Sequence, residues 1–318
     1  MTTDLRVQEY EIAERRLFQK YGLEYRSHYF QLDNPHLRAR VIEVGSGPPV
    51  LFVHGGGGVA SGWVPLLPEI KGYRLLAVDR PGCGLTDGFN YRGSEFRPHA
   101  VSFLERILDA LHLKTVPIVA NSMGGLWSFW LALERPERVS AMAQLGCPAL
   151  ILDTGAPFPM RLLSVRGLNQ LMFSLQRPSV KMVKGVFKNM GHKMEAMERL
   201  PGEYWECMFR SGMLPVYKEG WLTIIERVLR VTGPAPGLSL REDELRRVAQ
   251  PTLFVWGDND AFGKPEVGRR AVQVMPKAKL EVVPGGHLPW LDEPKRVGEL
   301  VSGFLSQNAG NGHAQRQA

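Results

Sequence analysis

Three side chains in this 318-residue chain have the chemistry of a nucleophile, a base and an orienting acid: Ser122, His287 and Asp260. Ser122 lies in Ala120-Asn121-Ser122-Met123-Gly124-Gly125, after the apolar run Thr115–Val119 and before Trp127–Leu133, which is apolar on nearly every side. A serine on a sharp strand-to-helix turn is held in a strained backbone conformation with its oxygen clear of its neighbours, and the turn needs small residues because strand and helix approach closely. Ala120 and Gly124 supply them, although alanine replaces the glycine usual at the first position. Such a hydroxyl also needs a base for its proton, an acid to orient that base, and donors for the developing oxyanion. His287, in Gly285-Gly286-His287-Leu288-Pro289-Trp290, follows the last strand-like run, and Asp260, in Gly257-Asp258-Asn259-Asp260, follows the one before it. One histidine among eight, or one Asp/Asn-rich turn, is by itself ordinary structure. The three together make the argument.

The elements that must position them alternate between two periods. Residues 5 to 22 read as an amphipathic helix ending at Gly22. Tyr25–Leu32 and Leu37–Val44 read as strands about an Asp33-Asn34-Pro35 turn. Val50–Val53 and Arg74–Val78 read as short buried strands, leading into His54-Gly55-Gly56-Gly57-Gly58 and Asp79-Arg80-Pro81-Gly82-Cys83-Gly84. A helical stripe (Val101, Leu104, Ile107, Leu108, Leu111) precedes the Ser122 strand, and Val139–Leu145 is strand-like again. Strand signals then stop until Pro251–Trp256 and Ala278–Val283, and a helix over Glu293–Leu305 closes the pattern. The spacing predicts an α/β fold, a doubly wound and mostly parallel sheet with ligands at the strands' carboxyl ends. The domain reading is an N-terminal helical extension (1–24), a core from 25–148 and 241–306, a helical segment (149–240) and a disordered tail (307–318).

Composition narrows the class. An apolar fraction of 44% supports a substantial core, and no segment is long and apolar enough to span a membrane, so no stable membrane insertion is expected. The first residues show no hydrophobic run of a secretory signal. Three cysteines, Cys83, Cys147 and Cys207, lack metal-ligand spacing and suggest reduced thiols in a cytoplasmic protein. The net charge of +7 has no nucleic-acid-binding motif beside it, so no nucleic-acid partner is expected. No Gly-Lys-Ser/Thr follows Gly55–Gly58, which excludes a P-loop.

The chain resembles the α/β-hydrolases that carry a helical lid. The resemblance covers roughly residues 25 to 306 and rests on His54-Gly55, Asp79–Gly84, Asn121–Gly125, Gly257–Asp260 and Gly286-His287, with the order Ser, Asp, His of that family. It implies a Ser122–His287–Asp260 triad, an oxyanion hole from the backbone N–H groups of Gly56 and Met123, a lid over 149–240, and no metal or organic cofactor. Asp260, three residues after Gly257, matches the family's acid, and Asp258 reads as a cap of its own turn. Asp79 and Cys83 read as structural.

Ser122 disfavours the dehalogenases and epoxide hydrolases of that family, which place aspartate at the elbow. Meta-cleavage-product hydrolases, which cut carbon–carbon bonds of dienoic acids, are similar at the elbow and over His54-Gly55 to Gly62-Trp63. They differ after the histidine, where a tryptophan usually follows directly, and they need a basic lid residue, for which Arg161, Arg166, Arg177 and Arg210 are candidates. Eight of the twelve methionines fall between 149 and 240, an adaptable apolar surface. On that ground the expected function is a serine esterase acting on small apolar or aromatic carboxylic esters, or lactones, through an acyl-enzyme. The alternatives are carbon–carbon hydrolysis of meta-cleavage-product type and a catalytically slow small-molecule receptor on the same fold. The oligomeric state is not legible.

Overall fold

The computed structural model describes residues 4–308. Its strands are β1 Tyr25–Asp33, β2 His36–Val44, β3 Pro49–Val53, β4 Arg74–Val78, β5 Val116–Ala120, β6 Val139–Leu145, β7 Leu229–Arg230, β8 Gly233–Pro234, β9 Thr252–Gly257 and β10 Ala278–Val283. Eight of them form one sheet in the order β1-β2-β4-β3-β5-β6-β9-β10. β2 pairs antiparallel with β1 and β4, and every pairing from β4 to β10 is parallel. The central strands β3, β5, β6 and β9 are almost wholly buried, while the edge strands β1 and β10 expose alternate residues. That is why the former read as continuous apolar runs and the latter do not.

The helices are α1 Leu5–Lys20, α2 Phe96–Ala110, α3 Ser122–Glu134, α4 Phe158–Arg161, α5 Leu168–Leu175, α6 Val180–Asn189, α7 Met194–Arg199, α8 Gly202–Gly212, α9 Tyr217–Val228, α10 Glu242–Arg247, α11 Pro265–Val274, α12 Pro289–Asp292 and α13 Pro294–Asn308. α2, α3 and α11 bury apolar faces on one side of the sheet, and α1 and α13 do so on the other. α1 is built into the core. Asp4 caps its first turn, Tyr10, Leu17 and Phe18 are buried, and buried Glu14 receives Arg40 Nη1 of β2 at 3.0 Å.

Between β6 and β9 the chain makes α4 to α10. Its departure and return are tied by a parallel bridge between Ile151 and Leu240. Two sequence expectations are corrected here. The stretch 149–240 contains a strand pair, β7–β8, too short to show a period of two. Gln307 and Asn308, expected in the disordered tail, form the last turn of α13, where Asn308 Nδ2 donates to Phe304 O at 2.8 Å. Residues 309–318 of that expected tail lie outside the described residues.

The three residues singled out as nucleophile, base and acid each follow a strand at its carboxyl end, Ser122 after β5, His287 after β10 and Asp260 after β9, as do His54 after β3 and Asp79 after β4. The parallel sheet brings Asn121 and His287, 166 positions apart, together at one crevice.

Candidate active site

Ser122 opens α3 with φ +51, while Asn121 before it is extended at φ −131. A non-glycine residue at positive φ costs on the order of 1–3 kcal/mol and persists only where its surroundings impose it. Here they do. A Cβ on Gly124 would lie 2.1 Å from Val53 O, and one on Gly55 would lie 2.4 Å from Asn121 Oδ1 and 3.1 Å from Ser122 Cβ. Asn121 Nδ2 donates to Leu145 O at 2.6 Å and to His287 O at 3.0 Å, joining the elbow to the neighbouring strand end and to the histidine loop. Ala120 is fully buried and paired opposite Val53.

The backbone from His54 to Gly58 faces Ser122 across the crevice. Met123 N–H belongs to the first turn of α3, where a helix leaves its amides without an internal partner. Gly56 and Met123 both line the cavity above Ser122. The loop is pinned from below. Arg80 Nε donates to His54 O at 3.0 Å and its Nη2 to Gly55 O at 2.7 Å. Arg80 N donates to His54 Nε2 at 3.0 Å, which leaves the proton on Nδ1, facing Gly55 O at 2.8 Å. Burial, then the adjacent Arg80 guanidinium, hold the His54 pKa well below the usual imidazole value, so this histidine is neutral. Asp79 is structural in the literal sense: Oδ1 accepts from Ala60 N at 2.7 Å and Oδ2 from Leu85 N at 3.1 Å. Cys83 is buried.

His287 Nδ1 meets Asp260 Oδ2 at 2.9 Å and Oδ1 at 3.0 Å. Both residues are buried, and Phe262 stacks on the imidazole with centroids 4.1 Å apart. Asp260 is itself held by Cys147 N and Phe262 N, each at 2.8 Å. With Nδ1 engaged, Nε2 is the nitrogen left for Ser122, which lines the same cavity. Asp258 lies elsewhere, with Oδ1 accepting from Gly285 N at 2.9 Å.

The cavity has a volume of about 990 Å³. Its walls are apolar, with Met160, Phe173, Met182, Phe187, Met208 and Trp221 among them, and five of the eight methionines between 149 and 240 line it. Trp290, three residues past His287, reaches the wall, where it stacks on Trp63 at 4.2 Å. None of the four arginines considered from sequence lines the cavity. Arg161 donates to Val231 O and Arg210 pairs with Glu9 and Glu206; Arg166 and Arg177 are exposed. The cationic side chains on the wall are Arg6, which pairs with Asp4, and Lys218, whose ammonium sits 5.4 Å over the Phe173 ring.

Sequence reasoning passed over Arg80, although it lies inside a motif singled out for its neighbours. It also missed the residues that hold the histidine loop from outside. His287 N donates to Met190 O at 3.0 Å, and Asn259 Nδ2 donates to Gly191 O at 2.9 Å. Gly191, at φ +96, has no room for a Cβ, which would lie 1.9 Å from Asn259 O.

A family model described as alpha/beta hydrolase fold matches residues 48–294. The chain belongs to the α/β-hydrolase fold family. Within the family, it is 26% identical over 279 residues to a 2-hydroxy-6-oxononadienedioate/2-hydroxy-6-oxononatrienedioate hydrolase of Paraburkholderia phymatum, covering 85% of this chain and 92% of that protein. It is likewise 26% identical to a 2-hydroxy-6-oxo-6-phenylhexa-2,4-dienoate hydrolase of Burkholderia cepacia, with the same coverage of 85% and 92%. Among solved structures, naproxen esterase from Bacillus subtilis superposes with a TM-score of 0.71 at 20% identity, covering 96% of this chain and all of that one. A 2-hydroxy-6-oxo-6-phenylhexa-2,4-dienoate hydrolase from a Rhodococcus species gives 0.71 at 20% identity, covering 89% and 99%. At such identities the structures share the fold alone. The sequence relatives correct the expected reaction: they carry the names of carbon–carbon bond hydrolases, and the reading as a carboxylic ester hydrolase does not stand against them. That reading rested on the methionine-rich walls, and an adaptable apolar cavity suits the apolar half of a dienoate as well as an ester.

Proposed function

We propose that this hydrolase cleaves a carbon–carbon bond in a 2-hydroxy-6-oxo-dienoic acid. The observation that carries the reading is similarity over 85% of the chain to hydrolases named for such substrates. The elbow Asn121–Gly125 and the loop from His54 to Trp63 support it, being the two places where the sequence is most like that group.

In this reading Ser122 adds to the C6 ketone of the substrate's keto tautomer while His287 takes its proton, and Asp260 keeps His287 in the tautomer that can accept at Nε2. The N–H groups of Gly56 and Met123 receive the oxyanion, each contributing on the order of 10²–10³ in rate. Collapse breaks the C5–C6 bond. The electron pair passes into the conjugated 2-oxo acid, which takes the proton back from His287. Water, deprotonated by His287, then hydrolyses the acyl-enzyme. One water is consumed, and a 2-hydroxydienoate and a carboxylic acid are formed. These steps call for no metal or organic cofactor.

The helical stretch 149–240 acts as the lid, supplying the apolar wall for the C6 substituent. Lys218 takes the place of the expected lid arginine and meets the substrate's carboxylate, since Arg6 is already paired. Three buried free cysteines fit a cytoplasmic site of action. Product analysis tests the reading. Incubation with 2-hydroxy-6-oxo-6-phenylhexa-2,4-dienoate is expected to give benzoate and 2-hydroxypentadienoate in equal amounts. Ser122→Ala is expected to retain less than about a hundredth of the rate. Unchanged dienoate with the native protein, or full activity in the variant, contradicts it.

A further inference from the structure

One stretch of the lid carries as much net charge as the whole chain. From Thr154 to Met194 there is no aspartate or glutamate, and there are seven arginines and lysines, while the protein's net charge is +7. Outside these residues, acids and bases balance. The same stretch holds seven of the twelve large apolar side chains that stand exposed among the described residues. They include Phe158 at 55%, Leu171 at 55% and Leu175 at 73% exposure.

Charge and apolar surface are interleaved on neighbouring helices. Leu168, Leu171 and Leu175 recur at the spacing of one face of α5. Lys181, Lys184 and Lys188 do the same on α6, with Lys184 lying 5.3 Å over the Trp205 ring. Between the helices Arg177 is exposed. The opposite sides of both helices, through Phe173, Met182, Val183 and Phe187, line the cavity. The cavity's roof is therefore apolar within and both apolar and cationic without.

We propose that this outer face of α4 to α6 docks on an anionic lipid bilayer, with the leucines of α5 at the headgroup boundary and the basic side chains on the lipid phosphates. Peripheral binding of this kind takes two signals, apolar area and cationic charge, and both are present here. A second copy of this chain is the poorer occupant, because two faces rich in arginine and lysine would be brought together. A polyanion such as RNA would use the charge and leave the exposed leucines in water. The proposal stands independently of the reaction assigned to the site.

Sedimentation of the full chain with phosphatidylcholine vesicles, with and without phosphatidylglycerol, tests it at low and high salt. Binding is expected to the mixed vesicles, weakened by salt. Lys181→Glu/Lys188→Glu should lose at least about tenfold in partitioning, and Leu171→Ser/Leu175→Ser severalfold at unchanged charge. None of these four side chains lines the cavity, so thermal unfolding should confirm that both variants stay folded. Three outcomes overturn the proposal: no preference for the anionic vesicles, binding by the leucine variant equal to native, or a dimer in sedimentation velocity that the leucine variant dissolves.

Discussion

His192 and Asp292, a hundred residues apart, meet at 2.6 Å through Nδ1 and Oδ2, and both are buried. The pair holds the loop of His287 from the side of the helical stretch 149–240. Asp292 Oδ2 also accepts from Gly286 N at 3.0 Å, and His192 Nε2 accepts from Leu288 N at 3.4 Å. The residues on either side of His287 are thus fixed by one contact between the helical stretch 149–240 and α12. His192→Ala removes a donor from a buried carboxylate, and a buried polar group left without its partner costs on the order of 1–3 kcal/mol. We expect a lower unfolding midpoint together with a several-fold fall in kcat and little change in KM. Unchanged stability and kcat would mean that the pair merely fills space.

The orienting acid is decided by one pair of variants. Asp260 holds His287 Nδ1, whereas Asp258 holds only Gly285 N. Asp260→Asn is expected to lose on the order of 10⁴ in kcat, by favouring the wrong imidazole tautomer. Asp258→Asn should keep most of its activity and show any loss in stability. Opposite behaviour of the two, measured at saturating substrate, would move the acid and leave Ser122 and His287 in place.

How much of this was legible in the sequence follows from the range of each contact. The parts of the proposed triad were visible because each sits in a local signal. Trp127–Leu133, apolar on nearly every side, announces a helix buried on a sheet, and Gly257–Asp260 and Gly286-His287 each follow an apolar run. Parallel pairing of β5, β6, β9 and β10 then assembles them. Contacts such as His192–Asp292, Arg80 on the carbonyls of His54 and Gly55, or Glu14–Arg40 depend on how distant segments dock, and no periodicity encodes that. The basic wall residue escaped for the same reason. A helical stripe tells which residues share a face, not that the face with Lys218 turns to the cavity while Arg161 and Arg210 find other partners.

Lys218 offers a binding test. Lys218→Ala is expected to raise KM for a dienoate about tenfold or more, the loss of one charge-assisted contact, with a smaller effect on kcat. A KM equal to native would place the carboxylate elsewhere.

Two histidines outside the proposed triad give the fold a pH limit. Burial holds His99 down at about 4 and His54 well below its ordinary value, with the Arg80 guanidinium adding to both. The unfolded chain therefore takes up protons first as pH falls, and stability rises with pH. The contribution is complete above about 6.5 and is lost as pH drops towards 4, by roughly 2–3 kcal/mol for His99 alone. Urea midpoints measured across that range should fall steadily. A flat profile contradicts the neutral burial of these two rings.

The central claim is the reaction, and the measurement that reaches it most directly is the ratio of kcat/KM for two substrates on one preparation: 2-hydroxy-6-oxo-6-phenylhexa-2,4-dienoate and a p-nitrophenyl ester. The account predicts that the dienoate is preferred by at least about tenfold, a difference of roughly 1.4 kcal/mol in transition-state stabilisation, with both activities lost in Ser122→Ala. An ester turned over tenfold better than the dienoate by the same serine would contradict it.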